Sequence, residues 1–357
     1  MLYFLKSEIF QLQVRSPDPA EDFCGRLDNY QEYFMSEPLL QVKNLSVAFG
    51  KAEVVSGIDF SIAPGEVLSL VGESGCGKSS ASLALTGLLP PQAVISAECI
   101  NFRTAAGMID LNRISSRRLR KIRGGSIAYI FQEPSVSLNP VMTVRAQIAE
   151  VLELHCPETK DVDSRIIELL EQVGIPDAAG RLKAYPHELS GGMQQRVMIA
   201  MALAGNPDLL IADEPTTALD VTVQAQILEL LRQLQKERGM AVLLISHNLG
   251  AVSVLADRIA VMYAGRIVEH GSIRQIIENP LHPYTQALLA AVPELGKDHG
   301  KLQTIPGFVP APADYPPGCR FAGRCRYRQE KCTRTLPPEN EYDNGHRCSC
   351  FHVEDGI

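Results

Sequence analysis

The run Gly72-Glu73-Ser74-Gly75-Cys76-Gly77-Lys78-Ser79, followed by Ser80, meets the spacing G-x-x-x-x-G-K-[ST] at every position. Before it stands Val67-Leu68-Ser69-Leu70-Val71, an apolar run suited to a buried parallel strand. After it, residues 80–89 are apolar at helical spacing. Strand, glycine loop and helix in that order confine the chain to an α/β fold with a seat for phosphate. Gly72, Gly75 and Gly77 let the backbone bend towards phosphate oxygens, and the N–H groups of Glu73, Ser74, Cys76 and Ser80 lie in the same turn and helix start. Lys78 supplies a point charge for the β- and γ-phosphates, and Ser79 a hydroxyl for Mg²⁺.

Three further apolar strands end on polar residues of the kind this chemistry uses. Ser126–Phe131 stops at Gln132, Leu209–Ala212 at Asp213-Glu214, and Met240–Ile245 at Ser246-His247. Open α/β sheets bind ligands at the carboxyl ends of their strands, so one site is expected to collect all four ends. There Asp213 belongs in the Mg²⁺ shell with Ser79 and Gln132. Glu214 would polarise the attacking water, and His247 would meet the γ-phosphate. Leu189-Ser190-Gly191-Gly192-Met193-Gln194 opens another helix, with Ser190 placed to cap it and two glycines to admit a ligand, so a second anion site is implied.

Around that core, residues 39–71 alternate as an antiparallel flank, and residues 136–188 carry helical periods as an insert. Phe49 is a candidate to stack on an adenine ring, or else packs within its sheet. The basic run 111–123 reads as a solvated helix face. Residues 1–34 show no sustained period, and Met35-Ser36-Glu37-Pro38 opens directly onto the first strand, so translation is expected to start at Met35 or at Met1 with a loose extension. A chain of 357 residues and 45% hydrophobic content accommodates one large domain and a small appendage. A net charge of -7 gives no electrostatic reason to expect nucleic acid, and no apolar run is long enough to cross a bilayer.

Of nine cysteines, Cys319, Cys325, Cys332, Cys348 and Cys350 crowd together near the end. With an odd count and a cytoplasmic location expected, metal ligation outranks disulfides. The paired C-x2-4-C knuckles usual for zinc are missing; zinc, iron and sulfide, and free thiols all stay open on spacing.

With these residues in view the chain resembles the nucleotide-binding subunits of ATP-binding cassette (ABC) transporters over about 39–275. Gly72–Ser79 looks like Walker A, Gln132 the Q-loop, Leu189–Gln194 the signature, Leu209–Asp213 Walker B with catalytic Glu214, Ala218-Leu219-Asp220 the D-loop, and His247 the switch histidine. The resemblance implies ATP and Mg²⁺, head-to-tail pairing with a second cassette subunit completed in trans by Ser190, Gly191 and Gly192, and separate membrane permease subunits. Asn279-Pro280-Leu281-His282-Pro283-Tyr284-Thr285 and Pro316-Pro317-Gly318-Cys319 onward are similar to the C-terminal extension of oligopeptide and dipeptide importers.

That narrower likeness implies peptide import at the cytoplasmic face of the membrane, fed by an extracytoplasmic binding protein. It also implies a [4Fe-4S] cluster, with Cys319, Cys325, Cys332 and Cys350 preferred as ligands over Cys348. The expected organisation is an extension at 1–34, a cassette at 35–275 with a helical subdomain near 136–190, and a cysteine-rich extension at 276–357. Nickel, glutathione or antimicrobial-peptide cargo, and a soluble cassette ATPase of DNA repair or translation, are the alternatives.

Overall fold

The computed structural model describes residues 37–217, 219–292 and 305–354. Expectations about residues 1–34, a start at Met35 and the Ala218 position of the D-loop lie outside them. Wholly apolar strands must be covered on both faces, and here they are. β3 (Val67–Val71) and β8 (Leu209–Asp213) are buried throughout, as is all but the last residue of β9 (Ala241–Ser246). With β7 (Ile127–Ile130) and β10 (Arg258–Tyr263) they form the parallel centre of a sheet. Its register pairs Val71 with Ser246, Asp213 with Ile245 and Ile130 with Ala212, so the carboxyl ends finish level.

The alternating residues 40–62 form β1 (Leu40–Phe49) and β2 (Ala52–Ile62), an antiparallel pair extended by β4 (Ala93–Ser96), β5 (Cys99–Thr104) and β6 (Gly107–Asp110). Helix α1 (Lys78–Leu85) buries Ala81, Ala84 and Leu85 in the same core as Val42, Val47 and Ile62 of this flank. The basic run becomes α2 (Ser116–Ile122), with Arg117, Arg118, Arg120 and Lys121 exposed.

The insert forms α3 (Val144–His155), capped by Thr143, and α4 (Val162–Gln172), capped by Asp161. Their Ile148, Leu152, Ile166 and Leu169 share a core with Val197 and Ile199 of α5 (Gly191–Ala204). Each such buried side chain contributes about 1.5–3 kcal/mol. Helix α6 (Val221–Arg238) follows β8.

The extension is attached more intimately than a separate appendage would be. β11 (Arg266–Ser272) leads to α7 (Pro283–Ala290), and the chain returns as the hairpin β12 (Asn340–Asp343) and β13 (His346–Cys348). β13 pairs antiparallel with β11, setting Glu269 opposite Cys348, so the sheet runs β12-β13-β11-β10-β3-β9-β8-β7. The last two described strands of the expected extension thus join the sheet that carries the phosphate loop. Among the described residues, no helix is long and apolar enough to cross a membrane.

Candidate active site

Gly75 and Gly77 hold left-handed backbone at φ 80° and 104°, and a Cβ on Gly77 would meet the Val54 carbonyl at 2.7 Å. The loop therefore needs glycine both for its turn and for its close approach to β2. Lys78 opens α1 with its side chain buried; its Nζ donates to the carbonyls of Gly72 (2.8 Å) and Glu73 (3.1 Å), so the ammonium is folded over the loop. Ser74 and Gly75 face solvent, Cys76 is fully buried, and Ser80 follows Ser79 in the first turn of α1.

Ser79 Oγ donates to Asp213 Oδ1 at 3.1 Å, so two of the three expected Mg²⁺ ligands meet although 134 positions apart, while the third, Gln132, donates to Glu214. The other carboxylate oxygen accepts from Tyr129 Oη (3.1 Å), which also shares a 2.8 Å hydrogen bond with Ser82. Burial pushes the Asp213 pKa up, against the hydrogen bonds from Ser79 and Tyr129. Such a pair of hydroxyl and desolvated carboxylate fits a hard divalent cation, which takes oxygen ligands and offsets the buried charge. Tyr129 was not among the residues singled out from the sequence. Its only signal there is a hydroxyl inside an otherwise apolar strand.

Glu214 has φ 48°, an unusual conformation for a side-chain-bearing residue, and turns its carboxylate back across the strand ends. Oε2 accepts from Gln132 Nε2 (3.2 Å) and Thr217 Oγ1 (2.8 Å) and lies 3.1 Å from His247 Nδ1. Gln132, Glu214 and His247, from the ends of β7, β8 and β9, thus form one polar cluster beside the phosphate loop.

The remaining expected site residues have other partners. Ser190 caps α5 by accepting from Met193 N (3.3 Å), with Gly191 exposed beside it, and a Cβ on Gly192 would press on Val223 at 3.2 Å. The Gln194 amide donates to the carbonyls of Pro186 and Leu189, fixing the loop before α5. Asp220 caps α6 through Val223 N (2.9 Å). Phe49 sits at the β1–β2 turn, partly buried against the flank's core.

Cys319, Cys325, Cys332 and Cys350 line one cavity together with Phe321, Phe351 and His282, and Cys348 does not line it, being buried in β13. Burial pushes the Cys319 pKa up to about 12 and raises Cys325 and Cys350 as well. The expectation of an assembled metal centre is corrected in one respect. Among the described residues, no three His, Cys, Asp or Glu side chains are gathered closely enough to hold a single ion, as zinc would require.

Residues 55–217 match the ABC transporter family model, and residues 268–332 match the oligopeptide/dipeptide transporter C-terminal region. A Brucella abortus (strain 2308) protein named as a peptide import ATP-binding protein is 52% identical over 305 residues, covering 84% of this chain and 91% of the relative. The chain belongs to the ABC transporter ATP-binding subunits of the oligopeptide/dipeptide type. A Brucella ovis protein with the same description is 47% identical over 332 residues, covering 89% of this ABC subunit and 98% of its own length. Among solved structures, cbiO1 from Clostridium perfringens, part of the ABC transporter complex cbiONQ, superposes with TM-score 0.56 at 26% identity, over 68% of this subunit and 92% of cbiO1. The cassette MJ0796, solved as a dimer in a post-hydrolysis state with ADP and Pi, gives TM-score 0.56 at 26% identity over 66% of this chain and 99% of its own.

Proposed function

We infer that this subunit hydrolyses ATP to drive import of di- or oligopeptides across the cytoplasmic membrane, bound peripherally at its inner face. The observation that carries the reading is the convergence of Lys78, Ser79, Asp213, Gln132, Glu214 and His247 at four level strand ends, in a chain that also carries the oligopeptide-transporter C-terminal region. The loop amides and Lys78 bind and orient the triphosphate. Ser79 and Asp213 hold Mg²⁺, which when bound neutralises phosphate charge and aligns its oxygens. Glu214 Oε2 takes the proton of the attacking water while Gln132 Nε2, Thr217 Oγ1 and His247 Nδ1 fix the carboxylate.

Membrane permease subunits are the partners this assignment requires. A second cassette subunit, facing this one head to tail, would be met by Ser190 and Gly191, which are exposed at the start of α5. The binding protein that delivers cargo outside the membrane completes the assembly.

The experiment is uptake of labelled dipeptides, longer peptides, glutathione and nickel in a strain lacking the gene, complemented with the parent or with Glu214→Gln. Peptide uptake restored by the parent alone is expected. Restoration by Glu214→Gln would overturn the assignment of that carboxylate, and uptake of nickel or glutathione without peptide would overturn the cargo.

The four-cysteine cavity supports a [4Fe-4S] cluster held by Cys319, Cys325, Cys332 and Cys350. The donors would all be thiols lining one mostly apolar cavity, and a bound cluster would offset the burial penalty on their ionised forms. Anaerobically purified protein is expected to carry iron and acid-labile sulfide; an iron-free protein with bound zinc, or with four free thiols, would refute it.

A further inference from the structure

Glu73 is the second residue of the phosphate loop, and both its main chain and its side chain are held from the C-terminal extension. Its N–H donates to Tyr284 Oη at 2.9 Å. Its carboxylate receives two hydrogen bonds from one guanidinium, Arg324 Nη1 to Oε2 at 2.7 Å and Nη2 to Oε1 at 3.0 Å. This is the bidentate fork geometry, among the strongest and most directional of side-chain pairings.

The two holders are themselves fixed. Tyr284 is fully buried, its ring edge-on to Tyr263 at 4.6 Å and tilted against Phe321 at 5.4 Å. The Arg324 side chain is 7% exposed, and it also donates to the carbonyls of Pro306 (2.8 Å) and Ile305 (3.2 Å) and to Tyr263 Oη (3.4 Å). The partner of Glu73 is therefore a rigid surface rather than a loose surface arginine.

We propose that the extension positions the phosphate loop of the ATP site, with Arg324 and Tyr284 as positioning residues acting through Glu73. A loop with glycines at 72, 75 and 77 has many conformations to lose when it closes on phosphate, so holding its first turn in place reduces that loss. The Glu73 carbonyl also accepts from Lys78 Nζ, so a displacement of Glu73 displaces the acceptor that aims the ammonium. A carboxylate so close to a triphosphate seat would repel the ligand, and Arg324 neutralises it.

The inference rests on the loop's binding of ATP, and the test separates the two. The full chain is titrated with a fluorescent ATP analogue and Mg²⁺, hydrolysis is followed as KM and kcat, and chemical unfolding is recorded for each protein. In Arg324→Met, affinity is expected to fall and KM to rise about tenfold, the worth of a charge-assisted pair, with kcat within about twofold. Arg324→Lys should recover part of the loss, and Glu73→Gln combined with Arg324→Met should be no weaker than Arg324→Met alone, because both act through one contact.

Should Arg324→Met fail to fold, Tyr284→Phe keeps the ring packing and removes only the acceptor for Glu73 N–H; an affinity about threefold weaker is expected. Unchanged KM in folded variants, a fall in kcat with KM unmoved, or additive effects of the Glu73 and Arg324 changes would each overturn the positioning role. A parent protein that bound no nucleotide would instead overturn the ATP reading itself.

Discussion

Asp213 shows how a single residue carries opposite obligations. Its carboxylate is kept in a place where burial disfavours charge, so its folded pKa lies above the ordinary value. A carboxyl with a raised folded pKa adds stability below its unfolded pKa, and that contribution is lost as pH rises through the folded pKa. In the nucleotide-free protein the ionised form of Asp213 is thus the disfavoured one, and a Mg²⁺ ion held there would offset that burden. Asp213→Asn is expected to raise the nucleotide-free unfolding midpoint by about 2 °C in a calorimetric scan at neutral pH, with the gain shrinking in acid, while Mg²⁺-dependent nucleotide binding is lost. A lower midpoint at neutral pH would show that the hydrogen bonds from Ser79 and Tyr129 outweigh desolvation.

Among the elements, β11 does more than extend the sheet. Its Glu269, 1% exposed, accepts from the N–H groups of Leu281 and His282 and pairs with His346 Nε2, all at 2.8 Å. One carboxylate thereby joins the approach to α7, which carries Tyr284, to β13. Glu269→Gln leaves one of these partners without its acceptor inside the protein and should cost about 2 kcal/mol in urea unfolding. Limited proteolysis is expected to cut the extension faster than in the parent; equal rates would show that pairing of β13 with β11 suffices. The strands of the parallel centre were legible in the sequence because burial on both faces demands unbroken apolar runs. The phosphate loop was legible because its chemistry demands particular residue types at adjacent positions. The pairing of Arg324 with Glu73 was not, since a contact spanning 251 positions leaves no local period or spacing, and Tyr284 was visible only as part of a family likeness. Nor was the way Gln194 of the signature ties down the loop before α5, since that depends on the backbone carbonyls of Pro186 and Leu189, which no motif records.

In the whole molecule, the strand order β12-β13-β11-β10-β3-β9-β8-β7 places the last-made hairpin at one edge of the sheet that holds the first-made phosphate loop. Synthesis therefore imposes an order on the ATP site. The residues of the loop emerge early, the carboxylates of β8 later, and the guanidinium that grips Glu73 only after 251 further residues have been added. The parallel centre is complete only with Tyr263, so a folded core waits for its clamp while the 61 residues from there to Arg324 are added, on the order of 3–12 s at cellular elongation rates. Ribosome-stalled chains ending at residue 310 are expected to bind a fluorescent ATP analogue more weakly than released full-length chains, and equal binding would contradict this. Full affinity for nucleotide would then be a property of finished chains only, so that a truncated translation product competes poorly for both ATP and a place in the transporter.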